Sequence, residues 1–260
     1  MLEYEFMRNA LSAGFLIAIL CPVVGTFLVL KRFSMMGDTL SHSAFAGVTI
    51  GFLFGINPSI TSLIYTVLSA LLIEYLRNRF NSYEEVVMSI VMTFNVGLAI
   101  IIASRGNSGN VSSFLFGSIL TVEFQDLVLI AVVTLICLLF IRLYFEKLVY
   151  MTFDEEGAII SGIPVKTLNF IFVALTGAAV GVSIRITGLL VISSILVLPV
   201  ATALNLKKGF RITLVCAVIF GLIAVLSGII ASYYLDTAPG GTIAIMSVAV
   251  LIASFIFRKK

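Results

Sequence analysis

The chain has 260 residues, of which 60% are hydrophobic and only 11% charged, with a mean hydropathy of +1.19 and a net charge of +3. A soluble domain needs far more polar surface, so composition excludes one and predicts an all-α, polytopic membrane protein built as a single transmembrane domain over residues 1–260. The basic excess lies in short loops, which is an orientation signal in a membrane and not a nucleic-acid footprint. Cys21, Cys137 and Cys216 all fall within apolar runs and read as small buried hydrophobes, with no disulfide framework. Cys21 is also a conceivable soft third metal ligand. Glu3 and Glu5 at the start, without a basic n-region, do not resemble a removable signal peptide.

Nine stretches can span, near 11–30, 38–55, 59–76, 84–103, 126–145, 166–184, 187–204, 210–235 and 239–257. The second, third and seventh are short for a crossing. With the N-terminus outside, the inner side collects Lys31, Arg32, Arg77, Arg79, Arg142, Lys147, Lys166, Lys207, Lys208, Arg211, Arg258, Lys259 and Lys260. The outer side keeps only Arg8, Arg105 and Arg185, an asymmetry that predicts an external N-terminus and a cytosolic C-terminus. Pro22 and Pro199 fall inside the first and seventh spans and predict kinks. Gly177, Ala178, Ala179 and Gly181, then Gly221, Ser227 and Gly228, permit close helix contact.

The run from Lys31 to Gly51 holds the only histidine, His42, with Asp38 four residues before it. On a helix these two share a face, about 6 Å apart along the axis. Carboxylate oxygen and imidazole nitrogen are both ligands for zinc or manganese, and an ionisable pair inside a membrane must face protein or water. The residues alone leave two plainer readings open: Asp38 as a helix-capping acid and His42 as a packing residue. Asn95 in the fourth span either lines a pathway or makes a helix–helix hydrogen bond. Between the fourth and fifth spans, Val111–Leu120 is too short to span and reads as a short helix dipping into the outer side.

The largest inner loop runs from Phe145 to Lys166. Asp154, Glu155 and Glu156 start a short helix there, Gly157 and Ala158 are small enough for close approach to a partner, and Gly162 stops it ahead of Pro164. The chain carries no GxxxxGK[ST] phosphate loop, so any ATP driving it is bound by another subunit. No Ser-His-Asp set or GxSxG turn accompanies His42, which argues against a membrane hydrolase.

Four stretches carry a family resemblance: GTFLVLKRFSMMGDTLSHSAFAG, FDEEGAIISGI, LLVISSILVLPVATA and SYYLDTAPGGTIAI. In order and spacing they resemble the permease subunit of bacterial zinc/manganese/iron-uptake ABC transporters, over nearly the whole chain. The resemblance implies a type II-like importer permease, not itself an enzyme, in the bacterial cytoplasmic membrane. It implies a second copy of the permease, a cytosolic ABC ATPase and an extracellular metal-binding protein as partners, with no nucleic acid. Asp38 and His42 match the family's transient metal site, and residues 153–163 match its coupling helix. No permanent cofactor is implied; the cargo is Zn2+ first and Mn2+ next. Asp236 in the last outer loop either admits cations or is a solvated acid, and Tyr233 and Tyr234 before it depart from some relatives. A permease for a metal chelate and an ion-coupled secondary carrier are the alternatives. The second would need more intramembrane carboxylates than Asp38.

Overall fold

The computed structural model describes residues 4–80, 83–105, 112–118 and 121–257. The expectations that fall on Glu3, Val111, Leu120, Arg258, Lys259 and Lys260 lie outside the described residues. Within them the chain forms α1 (Glu5–Leu30), α2 (Ser34–Phe54), α3 (Pro58–Arg79), α4 (Glu84–Arg105), α5 (Ser112–Phe116) and α6 (Phe124–Leu143). It continues with α7 (Phe145–Phe153), α8 (Glu155–Ile160), α9 (Val165–Thr187), α10 (Ile192–Leu204), α11 (Phe210–Leu235) and α12 (Pro239–Phe257). At one end of the bundle Lys31, just after α1, bonds to Asn169 of α9, which bonds to Glu155 of α8. At the other, Arg185 of α9 pairs with Asp126 of α6, which accepts from Ser59 of α3, and the residues after α9 bond to α5.

Seven of these helices, α1, α3, α4, α6, α9, α11 and α12, are long and apolar enough to cross a membrane. The expected second and seventh spans differ from them. α2 has 21 residues but is rich in Ser and Thr, and it carries Asp38 and His42. The expected seventh span is corrected: its helix, α10, has only 13 residues, about 20 Å against a hydrocarbon core of about 30 Å. The cause is the stretch from Gly188 to Val191. Gly188 takes φ +76 and ends α9, and the amides of Leu189 and Leu190 then bond to the carbonyls of Phe114 and Leu115 in α5. Amides engaged by α5 cannot bond back to α9 and continue it, so the start of an apolar run that reads as a span is a turn seated against α5.

Small residues set the helix spacing. Gly177 and Gly181, one turn apart on α9, lie against the backbone of α3. A Cβ at Gly177 would stand 2.9 Å from the Thr66 carbonyl oxygen, and one at Gly181 2.9 Å from the Leu63 Cα. Van der Waals contact between backbones is the main attraction available inside a membrane, where lipid is as apolar as the helix. The Ser62 hydroxyl, from the same patch of α3, lies 3.1 Å from the Ala44 carbonyl of α2 and 3.2 Å from the Gly181 carbonyl of α9. One proton thereby serves three helices. On α1, Pro22 has no N–H for the Ala18 carbonyl, and Gly221 of α11 packs beside both.

Gly181→Leu should force α9 off α3 and lower the unfolding free energy by about 3 kcal/mol or more. Gly241→Ala, where an added Cβ meets nothing within 4 Å, should leave it unchanged. Unfolding in mixed detergent, followed by circular dichroism, reads both; equal stability of the two variants would refute the close-contact account.

Candidate functional site

α2 is gripped by α3, α4, α9 and α10. Thr39, Leu40, Ser41, Ser43, Ala44 and Thr49 are buried, while Met35 and Asp38 are exposed and His42 is half-buried. Positions 35, 38 and 42 fall on one face at helical spacing, so a single open stripe carries both candidate ligands. The buried hydroxyls cause no polar conflict, because each bonds back along its own helix. Thr39 donates to the Met35 carbonyl at 3.0 Å, Ser41 to Gly37 at 2.7 Å, Ser43 to Thr39 at 3.0 Å and Thr49 to Ala46 at 2.8 Å.

Asn95 is buried and faces the covered side of α2. Its amide donates to the Ser43 hydroxyl at 2.9 Å and to the Val91 carbonyl at 2.8 Å. Cys21 is buried in the α1–α9 contact, with Sγ 3.6 Å from the Ser183 hydroxyl. Among the described residues no three His, Cys, Asp or Glu side chains converge to hold a metal. Asp38 and His42 are thus the two candidate ligands that share a face, and neither Cys21 nor Asp236 joins them. Asp236 caps α11 at φ +50 and lines a cavity of about 310 Å³ with Phe6, Ser118 and Thr237 at the α5 end.

The opposite end holds α8. The Asp154 carboxylate accepts from the Gly157 amide at 2.8 Å, capping the helix as an N-terminal Asp does. Gly162 sits at φ +79, its amide bonding to Ile159 and that of Ile163 to Ala158, which closes the helix as a Schellman turn. The expectation that Gly157 and Ala158 present a small surface to a partner is corrected. Ala158 is 0% exposed and packs into its own chain, and a Cβ at Gly157 would strike the Asp154 carboxylate. The outward apolar surface is instead Phe153, Ile159 and Ile160, the last 86% exposed. Its sequence signal was a pair of isoleucines following an acidic helix start in a loop.

From α8 a chain of polar contacts runs to the start of α2. Glu155 accepts from the Asn169 amide at 3.4 Å, and the Asn169 carbonyl accepts from the Lys31 ammonium at 2.6 Å. Beside it Glu74, 0% exposed, pairs with Arg77 at 3.0 Å, and the Arg77 guanidinium lies 4.1 Å over the ring of Phe33. Phe33 is the residue before α2. Burial pushes the Lys31 ammonium down to about 8; the Glu155 carboxylate opposes that shift, Arg77 adds to it and Glu74 opposes it. Lys31 and Arg77 read from sequence as solvated loop cations, and Glu74 passes unnoticed. An acid three residues before an Arg within an apolar span was the available signal.

A second ion pair closes the α5 end. Arg185, expected in a loop, lies in the last turn of α9 with its side chain 14% exposed, 2.6 Å from Asp126 and 3.2 Å from Glu123. Ser59 of α3 donates to Asp126 at 2.7 Å. Asp126 and Glu74 correct the expectation that Asp38 is almost the sole intramembrane carboxylate. Both are paired with arginine.

Among the described residues, an all-helical bundle with seven helices of crossing length, an open stripe on α2 carrying Asp38 and His42, and an apolar-tipped helix at one end defines a multi-pass membrane protein. The sequence profile of the ABC 3 transport family matches residues 3–258, and the chain belongs to that family. A probable metal transport system membrane protein of Treponema pallidum is 44% identical over 252 residues, covering 96% of this chain and 95% of that one. The manganese transport system membrane protein MntC of Halalkalibacterium halodurans is 30% identical over 262 residues, covering 100% and 90%. Among solved structures, PsaBC from Streptococcus pneumoniae in complex with Fab superposes with a TM-score of 0.88 at 26% identity, covering 98% and 92%. These matches show the resemblance to metal-uptake permeases drawn from the four motifs and the all-α, importer-permease architecture.

Lys31 supplies a pH test. An unfolded chain holds the lysine proton up to its ordinary 10.5, whereas the folded chain releases it near 8. Between those values the unfolded state binds more protons, so stability should rise with pH. Lys31→Met should flatten that rise. Unfolding of wild type and variant from pH 7 to 10.5 is the measurement, and identical pH profiles would refute the buried-ammonium assignment.

Proposed function

We propose that this chain is the membrane permease of an ABC importer for a divalent transition metal, zinc first and manganese next. The carrying observation is the placement of Asp38 and His42 on an open stripe of α2, whose other residues from Met36 to Thr49 are buried. Two ligands from a chain that brings no third hold an ion weakly, as a transported ion requires, since closed four-ligand sites retain their metal. A carboxylate on an open stripe of an apolar bundle cannot face hydrocarbon. A second copy of the permease, presenting its own Asp38 and His42 across a water-filled path, supplies both the cover and the missing ligands. Asn95 supports the wall of that path through Ser43, and Asp236 stands at its outer approach. No permanently bound cofactor takes part.

The lead given to zinc rests on the MGDTLSH and YYLDTAPGG stretches. The relatives support a metal cargo, and the manganese protein among them keeps Mn2+ in the comparison. An ion-coupled carrier working alone is disfavoured, because the buried Glu74 and Asp126 are neutralised by Arg77 and Arg185. A chelate, with its metal already coordinated, leaves Asp38 and His42 without a task.

ATP hydrolysis is assigned to a separate cytosolic subunit that docks on α8 through Phe153, Ile159 and Ile160. Asp154, Glu155, Glu156, Gly157, Ala158 and Gly162 shape that helix. The α8 end then faces the cytosol and the start of α1 the outside, of the bacterial cytoplasmic membrane, in agreement with the basic loops. An extracellular metal-binding protein delivers the ion to the α5 end.

Asp38→Ala and His42→Ala should each reduce uptake of radiolabelled zinc and manganese at least tenfold at matched expression. His42→Asn keeps size and polarity but loses the ring nitrogen, so it should fail as badly. Near-normal transport of both metals by His42→Asn would sink the ligand assignment. For docking, Ile160→Asp should release the ATPase subunit on purification while the permease inserts normally. Intact co-purification and uptake in that variant would overturn both the docking surface and the orientation drawn from it.

A further inference from the structure

At the α8 end, a cleft of about 770 Å³ opens between α1, α6, α7 and α11. Its inner wall is apolar: Val23, Leu138, Ile141 and Leu214. Its mouth carries Arg142, Lys147 and Arg211, with one carboxylate, Glu146. The cleft lies where α6 gives way to α7 at Tyr144, and both helices line it. Aromatic rings hold two of the cations at the rim. The Arg211 guanidinium lies 5.5 Å from the Phe145 ring centre and the Lys147 ammonium 5.7 Å from that of Tyr144.

Arg77 and Arg185 are paired with buried acids, whereas among the described residues Arg142, Lys147 and Arg211 stand in no ion pair. Three cations against one carboxylate leave the mouth positive. The depth of the cleft identifies what fills it. Leu138 lies five residues before the end of α6 and Val23 seven before the end of α1, about 8–10 Å inside the spanning helices. A soluble protein docking at the bundle end does not reach that depth, but an acyl chain does. The apolar docking tip, Ile159 and Ile160, belongs to α8 and does not line the cleft.

We propose that this cleft is a binding site for an anionic phospholipid, its phosphate headgroup held by Arg142, Lys147 and Arg211 and an acyl chain lying along Val23, Leu138 and Leu214. Basic recesses between spanning helices are suited to such lipids, because cation–headgroup attraction adds to burial of the chain. Glu146 disfavours the anion and sets the selectivity below its maximum. The lipid ties α6 and α7 to α11, and so steadies the segment that leads into α8.

The chain contains no tryptophan, so a single introduced one is a clean reporter. Leu214→Trp reports the cleft, and Ile245→Trp reports an exposed surface of α12 elsewhere. Purified full-length protein is reconstituted in phosphatidylcholine vesicles containing increasing brominated phosphatidylglycerol. Quenching at Leu214→Trp should show a preference for the anionic lipid about fivefold or more above that at Ile245→Trp. Combined Arg142→Gln, Lys147→Gln and Arg211→Gln should erase the difference, and Glu146→Gln alone should enlarge it, an arm that leaves the cations and the fold in place. Soluble glycerol phosphate should not compete. Equal quenching by both lipids, a preference that survives the triple change, or competition by glycerol phosphate would overturn the proposal. It would equally be overturned if the triple change released the ATPase subunit and left the lipid preference intact, for then the mouth belongs to that subunit.

Discussion

The structure depends on how a polar helix is held inside an apolar bundle. α2 must carry a carboxylate and an imidazole, so its remaining faces need cover from neighbours close enough to exclude lipid. Gly177 and Gly181 bring α9 onto α3, and Ser62 of α3 then reaches the carbonyls of Ala44 and Gly181 together. A single interhelical hydrogen bond in a membrane contributes only about 0.6 kcal/mol. The closeness of the backbones carries more, because it excludes lipid from three sides of α2 and leaves one stripe for Asp38 and His42. The hydroxyls of Thr39, Ser41, Ser43 and Thr49 are satisfied along the helix itself, so α2 stays polar at its stripe and inert where it packs.

Charge is handled differently at the two ends of the bundle. Asp126, Arg185, Glu123 and Ser59 lock α3, α6 and α9 together at the α5 end. At the α8 end, the contacts from Glu155 through Asn169 to Lys31 connect α8 with the loop that feeds α2, and Arg77 on Phe33 holds the same loop from the other side. Directional contacts therefore link α8 to the base of α2, the helix that carries Asp38 and His42. A partly desolvated ammonium suits that place, because its attraction to neighbouring polar groups is less screened than in water.

Helix ends separate what is local from what is not. α8 was legible because a cap and a stop are written in adjacent residues: Asp154 bonds the Gly157 amide three positions on, and Gly162 supplies the left-handed turn. α10 was not legible, because the residues that break its expected span are no less apolar than those that continue it. Gly188 ends α9 at a positive φ, and Leu189 and Leu190 then give their amide protons to α5, more than seventy positions earlier.

The sequence by itself determined the membrane class, nearly all the long helices, the shared face of Asp38 and His42, and the family. Each of these follows from composition, periodicity or motifs read over short distances along the chain. The tertiary structure decided which side of each helix is covered. It turned Ala158 inward and Ile160 outward, placed Asn95 on Ser43, and set Glu74 and Arg185 into buried ion pairs. In a helix that is apolar all round, the 3.6-residue period carries little information about which face meets protein and which meets lipid. Only the packing of one helix against another makes that choice.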